Sequence, residues 1–290
     1  MKKIASRFSI CWTLVGAVLV FLLVGVNDIH AAAGDIYTTD YSLAAVLLIN
    51  PANGSRTILS QSPSYGTGTA FSGPRGLCLS GANLYVVDNT QQAIYRVVIS
   101  TGNRTVISKS GTAGTGTAFS NPRGIAVDAG GNLLVTDQTL QAVFKVDPST
   151  GNRTVLSKSG TAGTGTAFEN PLGIAVHSSG TLYVTDSVAN AVFSVDPTTG
   201  NRSIISKSGT AGTGTAFTTP RGICVDGSGK ILVADSGGTS LLFEVDPSNG
   251  NRTVISGGGT GSGTAFGNPY GVRLADGSNV LVSDNKLSVL

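Results

Sequence analysis

An all-β fold, a β-propeller of four-stranded antiparallel blades, is predicted by two observations: a repeat of fixed length and four short apolar runs inside each repeat. The prolines Pro74, Pro122, Pro171, Pro220 and Pro269 are separated by 48, 49, 49 and 49 residues, and Phe71, Phe119, Phe168, Phe217 and Phe266 keep the same spacing. A period of this length marks a stacked-repeat architecture. Composition agrees: 40 glycines, 12% charged residues and 40% hydrophobic residues suit many short strands joined by tight turns.

The second repeat shows the elements in order. Gly124 to Asp128 reads as a first strand, Leu133 to Asp137 as a second, Ala142 to Val146 as a third and Arg153 to Ser157 as a fourth. Gly130-Gly131-Asn132, Gln138 to Gln141 and Ser149-Thr150-Gly151-Asn152 supply the turns between them. Such a meander has two apolar faces and buries both only by stacking against neighbours around an axis. The outermost strand opens with Arg56, Arg104, Arg153, Arg202 or Arg252, a charge expected to guard an edge. The Gly/Thr-rich stretch from Gly111 to Phe119 crosses to the next blade, and its Phe is expected to anchor between blades, worth about 2 kcal/mol.

The terminal repeats are incomplete. Residues 36–40, 45–49 and 56–60 supply the second, third and fourth strands of a first unit. Gly271 to Leu274 and Val280 to Asp284 supply the first two of a last unit, with Lys286 to Leu290 starting a third. Six blades with incomplete terminal ones is the expected count. The alternative is five, closed by the last inner strand, which leaves Val280 to Leu290 unplaced.

Residues 1–33 read as a signal peptide ahead of a propeller over 34–290. Lys2, Lys3 and Arg7 precede an apolar run from Ile10 to Val26, and Ala31-Ala32-Ala33 offers a cleavage site. The alternative is an uncleaved membrane anchor. A periplasmic or extracellular protein is expected, and a membrane partner only without cleavage. With Lys2, Lys3, Arg7 and Asp28 removed, 16 basic residues face 15 acids, a net charge of +1. Such a chain has no bulk attraction for nucleic acid, and none is expected as partner. Cys11 lies in the leader, while Cys78 and Cys224 recur at one place in two repeats as buried thiols rather than a disulfide.

The runs Asn121-Pro122-Arg123-Gly124-Ile125-Ala126-Val127-Asp128 and Gly131-Asn132-Leu133-Leu134-Val135-Thr136-Asp137 resemble the NHL-repeat propellers of bacteria. Tyr183-Val184-Thr185 is also similar to the YVTN-type propellers. The resemblance covers 35–290 and implies fold more than function. The wider six-bladed group includes gluconolactonase-like hydrolases and amidating lyases, which use acidic, Asn or His side chains around a central metal. This chain departs from that pattern, since Glu169, Glu244 and His177 are its only Glu and His after the leader and no Glu stands on an inner strand.

The candidate sites separate on the same grounds. His177 replaces Asp128 and Asp226 of neighbouring units and has no partner expected of a base or metal ligand. Asp40, Asp88, Asp137, Asp186, Asp235 and Asp284 end every second strand, a recurrence that points to turn capping over cation binding. The repeated Gly-Thr-Gly-Thr-Ala-Phe lacks the helix a phosphate loop needs. Sequons at Asn53, Asn103, Asn152, Asn201 and Asn251 read as products of the repeat, without glycosylation. The residues after each repeat proline, Arg75, Arg123, Leu172, Arg221 and Tyr270, are expected to ring the channel mouth beside the ends of the second strands. They either pair with the rim aspartates or hold an anionic or peptide-like ligand. Arg273 takes the place of a small Ala or Cys and would need a partner if buried.

The candidate ligand-binding residues are therefore Arg75, Arg123, Arg221, Tyr270 and Arg273. No catalytic residue, metal or cofactor is assigned. The expected function is a secreted, monomeric binding or scaffold propeller for a small-molecule, peptide or protein ligand. The alternatives are a divergent metal-dependent hydrolase or lyase of the six-bladed group, or one part of a longer surface array.

Overall fold

The computed structural model describes residues 35–274 and 279–286. The expected leader lies outside them. So does the third strand expected from Lys286 to Leu290, except for Lys286, which sits in a turn.

Six antiparallel sheets follow one another along the chain. Blade 1 holds β1 (Ile36–Asp40), β2 (Ala45–Ile49) and β3 (Arg56–Gln61). Blade 2 holds β4 (Pro74–Ser80), β5 (Asn83–Asp88), β6 (Ala93–Val98) and β7 (Arg104–Lys109). Blade 3 holds β8 (Pro122–Val127), β9 (Leu133–Asp137), β10 (Ala142–Val146) and β11 (Arg153–Lys158). Blade 4 holds β12 (Pro171–Val176), β13 (Leu182–Asp186), β14 (Ala191–Val195) and β15 (Arg202–Lys207). Blade 5 holds β16 (Pro220–Val225), β17 (Ile231–Asp235), β18 (Leu241–Val245) and β19 (Arg252–Ser256), and blade 6 holds β20 (Pro269–Leu274) and β21 (Val280–Asp284). Each sheet is a meander with neighbouring strands in sequence order, so the all-β propeller of four-stranded blades is the observed fold.

The inner strands begin at the repeat proline, two residues earlier than the apolar run suggests. Pro122 faces Asp137, and the register then slips before Ile125 faces Val135. The slip falls on Arg123-Gly124 and bends the strand, as a bulge does. The glycine there sets how closely inner strands approach. A Cβ on Gly76 would lie 2.5 Å from the Arg123 carbonyl oxygen, one on Gly124 2.4 Å from that of Leu172, one on Gly173 2.3 Å from that of Arg221, and one on Gly222 2.6 Å from that of Tyr270. No Cβ fits at those distances, so Pro-x-Gly is the residue pattern that brings β4, β8, β12, β16 and β20 side by side. The packing of successive inner strands around the channel follows this order, with β1 packed on β4 at the start.

The second strands show why the sheets stack. Leu133 and Val135 of β9 pack toward blade 2, while Leu134 packs toward blade 4. All five residues of β9, β13 and β17 are buried. The linker phenylalanine anchors as expected: Phe119 lies in the core between blades 2 and 3, edge-on to Phe144 at 5.1 Å. Phe71, Phe168 and Phe217 repeat the contact with Tyr95, Phe193 and Phe243.

The arginines opening the outer strands do not guard an edge, which corrects the sequence expectation for four of the five. Arg104, Arg153, Arg202 and Arg252 are only 4–6% exposed. Arg153 donates to the carbonyls of Thr117 and Ala113 in the incoming linker and to Ser108 Oγ of the preceding blade, with its guanidinium 5.3 Å from the Phe119 ring. Ser108 in turn donates to the Gly151 carbonyl of blade 3. The same latch joins Arg104 with Ser60, Arg202 with Ser157 and Arg252 with Ser206. Burial holds these four guanidiniums below their ordinary pKa. Only Arg56 of the incomplete first blade is exposed.

Cys78 and Cys224 are buried free thiols on β4 and β16, as expected. Burial pushes both up to about 12, and the charge of Arg273 acts in the opposite direction on each.

Candidate functional site at the channel mouth

The second residue of each inner strand and the end of each second strand lie at one end of the blades, because the pair Pro122 and Asp137 recurs as Pro74 with Asp88, Pro171 with Asp186, Pro220 with Asp235 and Pro269 with Asp284. The rim aspartates do cap turns, and they also reach further along the chain. Asp137 accepts from the Leu140 N–H in its own turn at 3.0 Å and from Ser120 and Asn121 N–H, just before the repeat proline, at 2.8 and 3.1 Å. Asp186 does the same with Ala189, Glu169 and Asn170, and Asp284 with Lys286, Gly267 and Asn268. Each of these carboxylates thus fixes the linker that delivers an inner strand by accepting backbone N–H groups from it and from its own turn.

That leaves the rim arginines without carboxylate partners among the described residues. Arg123 Nε donates to Gln138 Oε1 at 2.6 Å, and Arg221 Nε to Ser236 Oγ at 2.5 Å. The Arg75 guanidinium lies 4.0 Å over the Tyr41 ring, and that of Arg221 5.0 Å over the Tyr270 ring. Arg75 Nε is buried without a hydrogen-bond partner among the described residues. The ion pairs among the described residues, Lys145 with Asp128 and Lys230 with Asp246, both lie away from this rim. Pairing of rim arginine with rim aspartate is therefore not what the structure shows.

The arginines feel one another. Burial lowers the Arg123 pKa from its ordinary value; Tyr270 and Tyr41 act to raise it, and the like charges of Arg75 and Arg221 lower it further. Residues from blades 1, 2, 3, 5 and 6 thus meet at one mouth, though they are up to 229 positions apart, from Tyr41 to Tyr270. Arg75, Arg123, Arg221 and Tyr270 are brought together. Arg273 is not: it stands three residues further along β20, opposite Leu281, and is exposed rather than buried.

Tyr41 and Gln138 were not singled out by the sequence. Both follow the rim aspartate directly, a position held elsewhere by Asn89, Ser187, Ser236 and Asn285. Tyr41 is the one aromatic in that column, a break in the repeat that marks it. His177 sits in the turn before β13, where Nδ1 is 2.7 Å from Ser179 Oγ, a local turn contact. The sequon asparagines serve the fold: Asn152 Oδ1 accepts from the N–H and hydroxyl of Thr115, and Asn103, Asn201 and Asn251 repeat this. Among the described residues no group of three His, Cys, Asp or Glu side chains is placed to hold a metal ion.

With this geometry, the class the fold and site define is a β-propeller with a cationic, aromatic-flanked mouth. Comparison with known proteins supports the fold alone. No family model and no curated protein matches the chain. Among solved structures it is similar to the nidogen/laminin complex, at TM-score 0.63 and 20% identity, covering 84% of this chain and 83% of that one. It is similar to a catalytically inactive virginiamycin B lyase from Staphylococcus aureus bound to quinupristin, at TM-score 0.61 and 14% identity, covering 88% and 75%. A protein of unknown function from Bacteroides thetaiotaomicron gives TM-score 0.65 and 17% identity over 87% of this chain and 64% of that chain.

Proposed function

We propose that this protein is a secreted, NHL-like binding propeller whose channel mouth takes an anionic ligand between Tyr41 and Tyr270. The observation that carries this reading is three guanidiniums, Arg75, Arg123 and Arg221, gathered with no carboxylate ion-paired to them among the described residues. Like charges held together in partial burial cost free energy, and an anion that spans them recovers it. The aromatic rings stack on two of the guanidiniums and fix their planes, so that free N–H edges are presented to a carboxylate, phosphate or sulfate. Secretion rests on the basic, apolar and Ala-rich order of residues 1–33.

Titration calorimetry with inorganic phosphate, sulfate and benzoate tests the site. Binding that weakens about tenfold in Arg123→Gln is expected, since a hydrogen bond to a charged group is worth about 1.5–3 kcal/mol. Affinity unchanged by Arg123→Gln and Arg75→Gln removes the proposal.

A second reading, a metal-dependent lyase or hydrolase, is favoured by the similarity of fold to the virginiamycin B lyase. It needs a stoichiometric metal in the purified protein and turnover of lactones or esters that chelation abolishes. Metal-free protein ends it.

A further inference from the structure

In blades 3 and 4 a threonine of the second strand bonds both the inner strand of its own blade and a carbonyl of the next, while blades 2 and 5 carry Val87 and Ala234 at that position. Thr136 accepts from the Gly124 N–H at 2.9 Å and donates to the Leu172 carbonyl at 2.6 Å; Thr185 likewise joins Gly173 to Arg221. The two terminal blades each hold half of this relay. Thr39 of β1 donates to the Arg75 carbonyl at 2.5 Å, and no N–H donor reaches it among the described residues. Ser283 of β21 accepts from the Gly271 N–H at 2.9 Å, with no onward carbonyl among the described residues. Asp40 shows the same gap. It accepts from Leu43 N–H, the turn donor, and among the described residues it lacks the two linker N–H donors that Asp137, Asp186 and Asp284 receive.

The glycine series ends at the same place. A Cβ on Gly271 would meet only Ser283 Oγ at 2.9 Å, where Gly76, Gly124, Gly173 and Gly222 each face the carbonyl of a following inner strand. Five inner strands therefore stand beside six second strands among the described residues, and β1 is the second strand left without a partner on its axial edge. Its five residues are only partly buried, whereas those of β9, β13 and β17 are fully buried.

We infer that the axial edge of β1 is a strand-accepting site for an extended Pro-x-Gly segment of a partner polypeptide. The requirements follow from the register. Two successive N–H groups before the proline would reach Asp40, and the glycine N–H would reach Thr39 Oγ. The glycine itself is needed to pass the Arg75 carbonyl, as Gly76 passes that of Arg123. The apolar residues after it continue the pattern that β8, β12 and β16 bury between blades. This is strand addition to an open sheet edge, with backbone bonds giving affinity and the glycine giving selectivity. β20 is not the occupant, because β21 already fills its pairing edge and Asp284 and Ser283 already take its N–H groups. Residues 25–30 stand at the right distance before β1, but Asn27 falls where glycine is required. A second copy would have to give up an inner strand already paired in its own blade.

The test uses the full chain and a fluorescent peptide of residues 120–128, Ser-Asn-Pro-Arg-Gly-Ile-Ala-Val-Asp. Saturable binding is expected, lost when the peptide carries Gly124→Ala. It should weaken about tenfold in Asp40→Asn protein and stay unchanged in Asp284→Asn protein, since only the first removes a charged acceptor from the open edge. Hydrogen exchange should show β1 amides slowed by the peptide, which separates a bound strand from a variant with disturbed folding. No binding, binding indifferent to Gly124→Ala, or β1 amides already slow in the free chain overturns the inference. Concentration-dependent dimerisation that slows β1 amides without peptide also overturns it, in favour of a second copy. None of these outcomes touches the anion titration at Arg123.

Discussion

Blades 2 to 5 and the two terminal sheets are built from one repeat, yet they are not equally finished. In blade 3 every group of the repeat has its partner. Asp137 takes three backbone N–H groups, Thr136 relays between strands, Arg153 latches the linker and Gly124 passes a carbonyl. In blade 1 the same positions are Asp40 with its turn donor, Thr39 with its onward bond, and an Arg56 that is exposed rather than buried. The difference teaches that the repeat's chemistry lies between blades more than within them. A unit becomes complete only when both neighbours supply their halves.

Substitution of matched positions breaks or sharpens this contrast. The largest effect is expected at the inner glycines. Gly124→Ala drives a Cβ against the Leu172 carbonyl and should cost about 3 kcal/mol or more, while Gly271→Ala, facing only a serine hydroxyl, should cost under about 1 kcal/mol. Chemical denaturation of the two variants measures the gap; equal losses would mean that an inner strand also follows β20. Next comes the latch. Arg153→Ala leaves the Thr117 and Ala113 carbonyls and Ser108 Oγ unmet and should cost about 2–3 kcal/mol. Arg56→Ala should lose less in the same assay, because that side chain is exposed.

Rim aspartates follow. Asp137→Ala removes a fully buried carboxylate with three N–H donors, and about 2 kcal/mol is expected; Asp40→Ala, with one donor in an exposed turn, should cost about 1 kcal/mol. The smallest effect is a pH effect on the outer surface. Hydrogen bonds from Lys230 and Ser248 hold the Asp246 carboxyl down at about 2, below its ordinary 3.8. A carboxyl depressed in the folded state stabilises above its unfolded pKa and loses that contribution as pH falls through the folded one. A small loss of stability between about pH 4 and pH 2 is expected, reduced in Lys230→Ala, and solvent screening keeps it slight.

Much of this fold was legible in the chain because its signals are local. The second strands ending in Asp, the third strands and the linker phenylalanines stand where period and pattern place them, since alternating burial and tight turns leave their mark within a few residues. The inner strands start at Pro122 and its equivalents rather than at Gly124, because the bulge that bends them interrupts the apolar run. The arginines were misread for a reason of scale: a charge opening an outer strand looks solvent-facing until the linker of 36 to 40 residues earlier folds over it. The mouth was legible in part. Arg75, Arg123, Arg221 and Tyr270 follow from the repeat column, but their actual partners, Tyr41, Gln138 and Ser236, come from the next column and were set by packing around the axis.

Amide hydrogen exchange along β1 and β9 tests the contrast most directly. Successive amides of a strand point to opposite edges, so a strand paired on both sides protects them all and a strand paired on one side protects every other one. The account predicts uniform protection in β9 and alternating protection in β1, with the axis-facing amides exchanging fast. Uniform protection across Ile36–Asp40, equal to that of Leu133–Asp137, would contradict it.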